Sequence, residues 1–202
     1  MNQDQPAGVA SASRGSRQSS PPRNGPHGKD TPSSTGAPQS RRTIVRQDDA
    51  MNSPLDVKGR RKSHINESGD LVPANPDGAA TAQQHVRGSE PRKQDSPYTS
   101  FSDKGAGDVE KTFENRSVTV DIDDLRRDID AGLLDGVEII EHDELMRGLR
   151  ERLEEAVEKY RLNPSEKANQ RVVDRARDVE NAETAKEVLI KGTIPKKYLQ
   201  VE

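Results

Sequence analysis

The stretch from Asn181 to Gln200 constrains this chain most. It reads as a loop carrying two carboxylates, Glu183 and Glu187, then a short apolar strand, Val188-Leu189-Ile190, then a Gly192-Thr193-Ile194-Pro195 turn. An apolar run this short, bounded by turn residues, marks a buried strand. Acids placed just before such a strand hold a carboxylate at the edge of a core, facing a cleft. The rest of the chain therefore has to supply a sheet around this strand.

That supply is limited. Only 29% of the 202 residues are hydrophobic and 2% aromatic, against 33% charged, which is too polar for a fully packed globule of this length. Residues 1–54 are mostly Ser, Pro, Gly, Gln, Asn and Arg, and their apolar pair Ile44-Val45 stands among Arg41, Arg42 and Arg46. Such a segment cannot bury enough surface to offset its ordering entropy. It is expected to be a disordered leader or linker (residues 1–54), followed by a folded domain (residues 55–202). The net charge of −3 argues against nucleic acid as the main partner. The absence of cysteine excludes disulfides, a thiolate nucleophile and Cys-based metal sites, and the four histidines are scattered, so no metal site is expected. No run of about 18 apolar residues exists to span a membrane. The first residues lack the apolar core of a secretory signal peptide. Asn2 stands where a myristoylation site needs glycine.

Along the chain, Leu55 to Ile65 reads as a first strand with a basic exit. Asn66 to Gly69 is turn chemistry before a short extended segment, and Asn75-Pro76-Asp77-Gly78 is a second turn. Ala79 to Val86 has modest helical propensity and carries His85. Ser96 to Ser102 has strand residues; Asp103 to Gly107 breaks them and leads toward a helix through Phe113. Ser117 to Ile122 alternates at period two, as a half-buried strand does. A short acid-capped helix runs to Gly132, and Val137 to Ile140 is another strand. Asp143 is expected to cap a helix whose Leu145, Leu149, Leu153 and Val157 share one stripe, stopped by Asn163-Pro164. A polar helix over residues 165–180 precedes the final strand. Strands with helices inserted among them predict an α+β fold.

Four short blocks carry a resemblance. Gln84-His85-Val86-Arg87-Gly88 resembles a His-Ala-Arg-Gly segment, and Tyr98-Thr99-Ser100-Phe101-Ser102 a Tyr-Val-Ser-Thr-Ser strand. Glu187 to Pro195 resembles Glu-Val-x-x-x-Gly-Gly-Ile-Pro with the same spacing, and Ser68 to Pro73 resembles Ser-Gly-Gly-Leu-x-Pro. All four patterns that these blocks resemble are those of the ADP-ribosyltransferases of the cholera and heat-labile enterotoxin type. The resemblance implies a split β-sandwich with inserted helices. It also implies a mono-ADP-ribosyltransferase toxin or effector that transfers ADP-ribose from NAD, its substrate, to a target protein.

By the same resemblance Glu187 stabilises the oxocarbenium-like transition state, with Glu183 upstream as a second catalytic candidate. His85, Ser100 and Ser102 would bind NAD, together with a basic residue of the first strand: Arg60 or Arg61, with Lys58 in the aligned position. The localisation implied is secretion, with delivery into a host or competitor cell by a bacterial secretion system. A secretion chaperone or host activator is a further partner of such effectors. The chain departs from the arginine-modifying members at Ala185, where they carry Glu. Alternatives are an effector of the same fold that has lost catalysis, and a largely disordered adaptor whose 143–160 helix docks in a partner's groove.

Overall fold

A computed structural model describes residues 41–88, 92–103 and 116–202. Over these residues the chain is mixed α+β. Residues 1–40 of the expected 1–54 leader and the helix expected through Phe113 lie outside the described residues.

The first strand comes earlier than its polar surroundings suggest. Strand β1 is Thr43–Gln47, inside the segment expected to be disordered. Leu55 to Arg61 instead forms a loop closed by a single bridge between those two residues. The compact unit accordingly runs from Gln39 to Glu202, so the expected boundary at residue 55 is too late. Thr43, Ile44 and Val45 are β-branched, and Ile44 and Val45 are buried. Arg41 and Arg42, just before them, are matched by carboxylates from distant segments. Arg42 Nη2 meets Asp103 at 2.5 Å and Glu141 at 2.8 Å.

Strands β4 (Tyr98–Asp103), β5 (Ser117–Asp121), β6 (Glu138–Ile140), β7 (Glu187–Lys191) and β8 (Leu199–Val201) join β1 in one antiparallel sheet, ordered β6-β7-β4-β1-β5-β8. A separate pair, β2 (His64–Ile65) and β3 (Leu71–Val72), is tied to the turn after β7 by the bridge Leu71↔Ile194. In that turn Gly192 has φ +84°, and a Cβ there would run into the Gly136 carbonyl oxygen, so the turn needs glycine.

Alternation along β7 explains its continuous apolar run. Val188 and Ile190 join a core with Ile44, Phe101, Val118 and Val120. Helix α2, Ile122–Asp130, is capped by Asp121 and adds Ile122 and Leu125 to that core. Leu189 points to the other face, where it meets Tyr98 and Ile140. Helices α3 (His142–Leu162) and α4 (Glu166–Ala185) cover this second face through Leu145, Met146, Leu149 and Ala182. A strand buried on both faces has no polar side to show.

Two expectations about these helices need correction. Asp143 does not cap α3: the N-cap is Glu141, whose side chain makes no capping bond because it is engaged by Arg42 and Arg126. Residues 181–185, read as a loop, are the last turn of α4, which ends at Lys186 in the left-handed region, φ 45°. Of the expected stripe, Leu145 and Leu149 are buried while Leu153 and Val157 are half-buried, so only the sheet-proximal part of the hairpin is well packed. Leu149→Ala should therefore lower unfolding stability by about 2–5 kcal/mol, read from urea denaturation.

Candidate functional site

The sheet opens where β1 and β4 part. β1 pairs with β5 along all its residues, but with β4 only at Ile44 and Val45. Beyond Val45 the gap between the two strands becomes a cleft of about 750 Å³, a size that suits a small-molecule ligand. Ser100 and Ser102 of β4 and Glu187 of β7 line it on the face shared with Leu189, because Ser100 lies opposite Leu189 and Ser102 opposite Glu187.

At the centre is a directional chain of hydrogen bonds. Ser100 Oγ donates to Glu187 Oε1 at 2.7 Å, since a carboxylate only accepts. With its one proton used there, Ser100 must accept from His85 Nε2, at 2.8 Å. His85 Nδ1 then accepts from the Ser96 hydroxyl at 2.6 Å, and Ser96 in turn accepts from the Tyr98 backbone N–H at 3.2 Å. The chain thus specifies a neutral imidazole protonated on Nε2. Burial acts the same way, pushing the His85 pKa down to about 3.

His85 is presented by helix α1, Ala82–Arg87, short but well bounded. Thr81 and Gln84 form a reciprocal capping box, and Gly88 closes the end at φ 61°. Because the folded pKa lies below the unfolded value of about 6.5, the unfolded chain takes up the proton first on acidification. Stability from this group is full above pH 6.5 and falls as pH drops toward 3. His85→Gln should flatten that dependence, seen as a smaller shift of the urea midpoint between about pH 7.5 and about pH 4.5.

Burial pushes the Glu187 pKa up, while the Ser100 hydrogen bond pulls it down. Its backbone is held as well. The Lys186 carbonyl accepts from Asp103 N–H on the β4 side, so the next carbonyl, that of Glu187, faces β6. β6 has ended by then, and His142 Nδ1 supplies the donor at 3.2 Å.

A basic residue of the first strand is present, but not one of those expected. Arg46 of β1 spans the gap, with Nη1 3.5 Å from the Ser100 carbonyl oxygen and Nη2 3.0 Å from Asp48. Among the described residues its Nε is the buried side-chain nitrogen left without a hydrogen-bond partner. Asp48 also takes Lys62 Nζ on both oxygens, at 2.5 and 2.6 Å. Burial alone would raise the Asp48 pKa, but Lys62 and Arg46 together hold it below the usual carboxylate range.

Arg60 and Arg61 do line the cleft, from the loop after β1 rather than from a strand; Arg60 is paired with Asp56 at 2.6 Å. Lys58 is exposed at that loop's tip and does not line the cleft. Glu183 is separated from Glu187. It lines a different hollow of about 390 Å³, beside Met146, with Arg150 and Lys186 as ion-pair partners and His142 Nε2 at 3.6 Å. Residues 183 and 187 line different hollows, with the last turn of α4 and Lys186 between them.

Arg46, Asp48, Ser96 and His142 were not anticipated as site residues. The β-branched run Thr43-Ile44-Val45 was the available sign of the first two. No family model matches this chain, and neither curated proteins nor solved structures give a match.

Proposed function

We propose that the cleft binds NAD and that the chain is a mono-ADP-ribosyltransferase of the cholera and heat-labile enterotoxin type, acting on a target protein. The observation that carries this reading is the trio Glu187, Ser100 and His85, the first two on adjacent strands and the third on helix α1, joined by two hydrogen bonds and lining the cleft. Splaying of β1 from β4 supports the split-sandwich form of the fold.

The roles follow from the chemistry. Breaking the nicotinamide glycosidic bond develops positive charge on the ribose, and a carboxylate fixed beneath it stabilises that charge without reorganising. Ser100 fixes the Glu187 carboxylate, and neutral His85 fixes Ser100. Arg46 supplies a guanidinium for the diphosphate, held at its far side by Asp48. It takes the first-strand role expected of Lys58, Arg60 or Arg61. Among the described residues, five cationic side chains line the cleft against three carboxylates, an excess that suits a dinucleotide in a chain that is acidic as a whole.

A serine-hydrolase reading of the Ser100–His85 pair fails on direction. A hydrolytic histidine accepts the serine proton, whereas here His85 donates to Ser100 and its Nδ1 meets a hydroxyl instead of a carboxylate. An acid/base pair of Glu183 and Glu187 fails because Glu183 lines the other hollow. The test is nicotinamide release from NAD by the full chain, with NAD binding followed separately. Binding without turnover would favour the catalytically degenerate alternative, and no binding would sink the proposal.

A further inference from the structure

We propose that the group receiving the ribose is a carboxylate, carried on an acidic stretch of the target protein. This rests on the transferase reading above. The acceptor has to reach Glu187 through the cleft, so the charges and proton carriers of the cleft decide which nucleophiles suit it.

A guanidinium acceptor stays protonated far above neutral pH, so it needs a carboxylate to hold it and take its proton. Among the described residues around the cleft, each carboxylate is already engaged. Both oxygens of Asp48 are taken by Lys62, and Arg46 adds a further contact. Asp56 is taken by Arg60 and by the backbone N–H groups of Lys58 and Arg60. Glu183 lines the other hollow, among Arg150 and Lys186. Glu187 is committed to the ribose.

A hydroxyl or water acceptor must also shed a proton, and His85 is badly placed to receive it. Its Nε2 carries hydrogen toward Ser100, and its Nδ1 is occupied by Ser96. A carboxylate acceptor avoids the difficulty. The C1′–N bond breaks, its electron pair goes to the pyridinium nitrogen, and nicotinamide leaves neutral. A carboxylate oxygen supplies the pair for the new C1′–O bond. The product is an ester, and no proton moves.

Charge at the entrance agrees. Arg61 and Lys93 are exposed, line the cleft, and have no carboxylate partner among the described residues. NAD carries a pyridinium as well as a diphosphate, so its own charge does not use up the positive excess. What remains attracts an acidic segment and repels a basic one.

The experiment offers the full chain NAD labelled in its adenylate half, with poly-L-glutamate, with poly-L-arginine, or with no polymer. Nicotinamide release and polymer-bound label are followed together, and the Glu187→Gln chain sets the non-enzymatic background. The expected result is roughly tenfold or more label on poly-L-glutamate than on poly-L-arginine, as like charges oppose the latter encounter. That label should be released by neutral hydroxylamine, as an ester is. Nicotinamide release with label on poly-L-arginine, or with free ADP-ribose alone, overturns the carboxylate acceptor and leaves NAD cleavage at this site standing. No nicotinamide release in any arm overturns the transferase reading, and the acceptor inference falls with it.

Discussion

Glu187→Gln is expected to slow nicotinamide release from NAD by about 10²–10³-fold, the range for removing one preorganised group that stabilises transition-state charge. Glutamine keeps the length and shape of the side chain, and its Oε1 still accepts from Ser100 at the present 2.7 Å position. What it removes is the negative charge that the proposed mechanism sets beneath the ribose. Burial already disfavours that charge, so the neutral variant should fold at least as stably as the native chain. Nicotinamide release and urea denaturation of both proteins, measured side by side, separate the two effects. Activity that survives the substitution would place the charge-stabilising group elsewhere and sink the assignment. Equal, negligible turnover in both chains would point to an effector that has lost catalysis or awaits a partner.

A chain cut to residues 55–202 is expected not to fold, whereas one beginning at Gln39 should. β1 lies between β4 and β5, and removing it deprives both of a partner at the middle of the sheet. Ile44 and Val45 leave the core with it, each worth about 1.5–3 kcal/mol of burial, against a typical net stability of only about 5–15 kcal/mol. Arg46 is lost as well, so any residual fold should bind NAD poorly. Loss of the sigmoidal urea transition in the shorter chain, and its presence in the longer, is the expected outcome. A cooperative transition in residues 55–202 would show that β1 is dispensable.

The elements legible in the sequence are those whose pattern is local. β5 shows strict alternation, β7 an unbroken apolar run between an acid and a Gly–Pro turn, and α3 its leucine spacing. His85, Ser100 and Glu187 were found as separate short blocks, and the structure brings them to one chain of hydrogen bonds. What was hidden depends on partners far away in sequence. β1 looked like disordered arginine-rich chain because Asp103, Asp121, Asp123 and Glu141, which engage Arg41 and Arg42, lie at least about 60 residues downstream. The extension of α4 through Glu183 was hidden for another reason. Thr184 sits within the last turn with its hydroxyl on the Glu180 carbonyl, and residues 181–185 carry no breaker, so the stop depends on Lys186 adopting φ 45° without glycine.

The strand order has a consequence for how the protein comes into being. Among the described residues the earliest strand to be synthesised ends up in the middle of the sheet, and β7 and β8, which follow the other described strands, take places in opposite halves of it. A nascent chain paused before residue 187 could pair β1 with β4 and β5, yet it would lack the carboxylate on which the proposed chemistry depends. Contacts across such separations form slowly and late. Assembly of the cleft is therefore coupled to translation through Glu187, and under the proposed function a ribosome-bound fragment shorter than that is expected to be inert toward NAD.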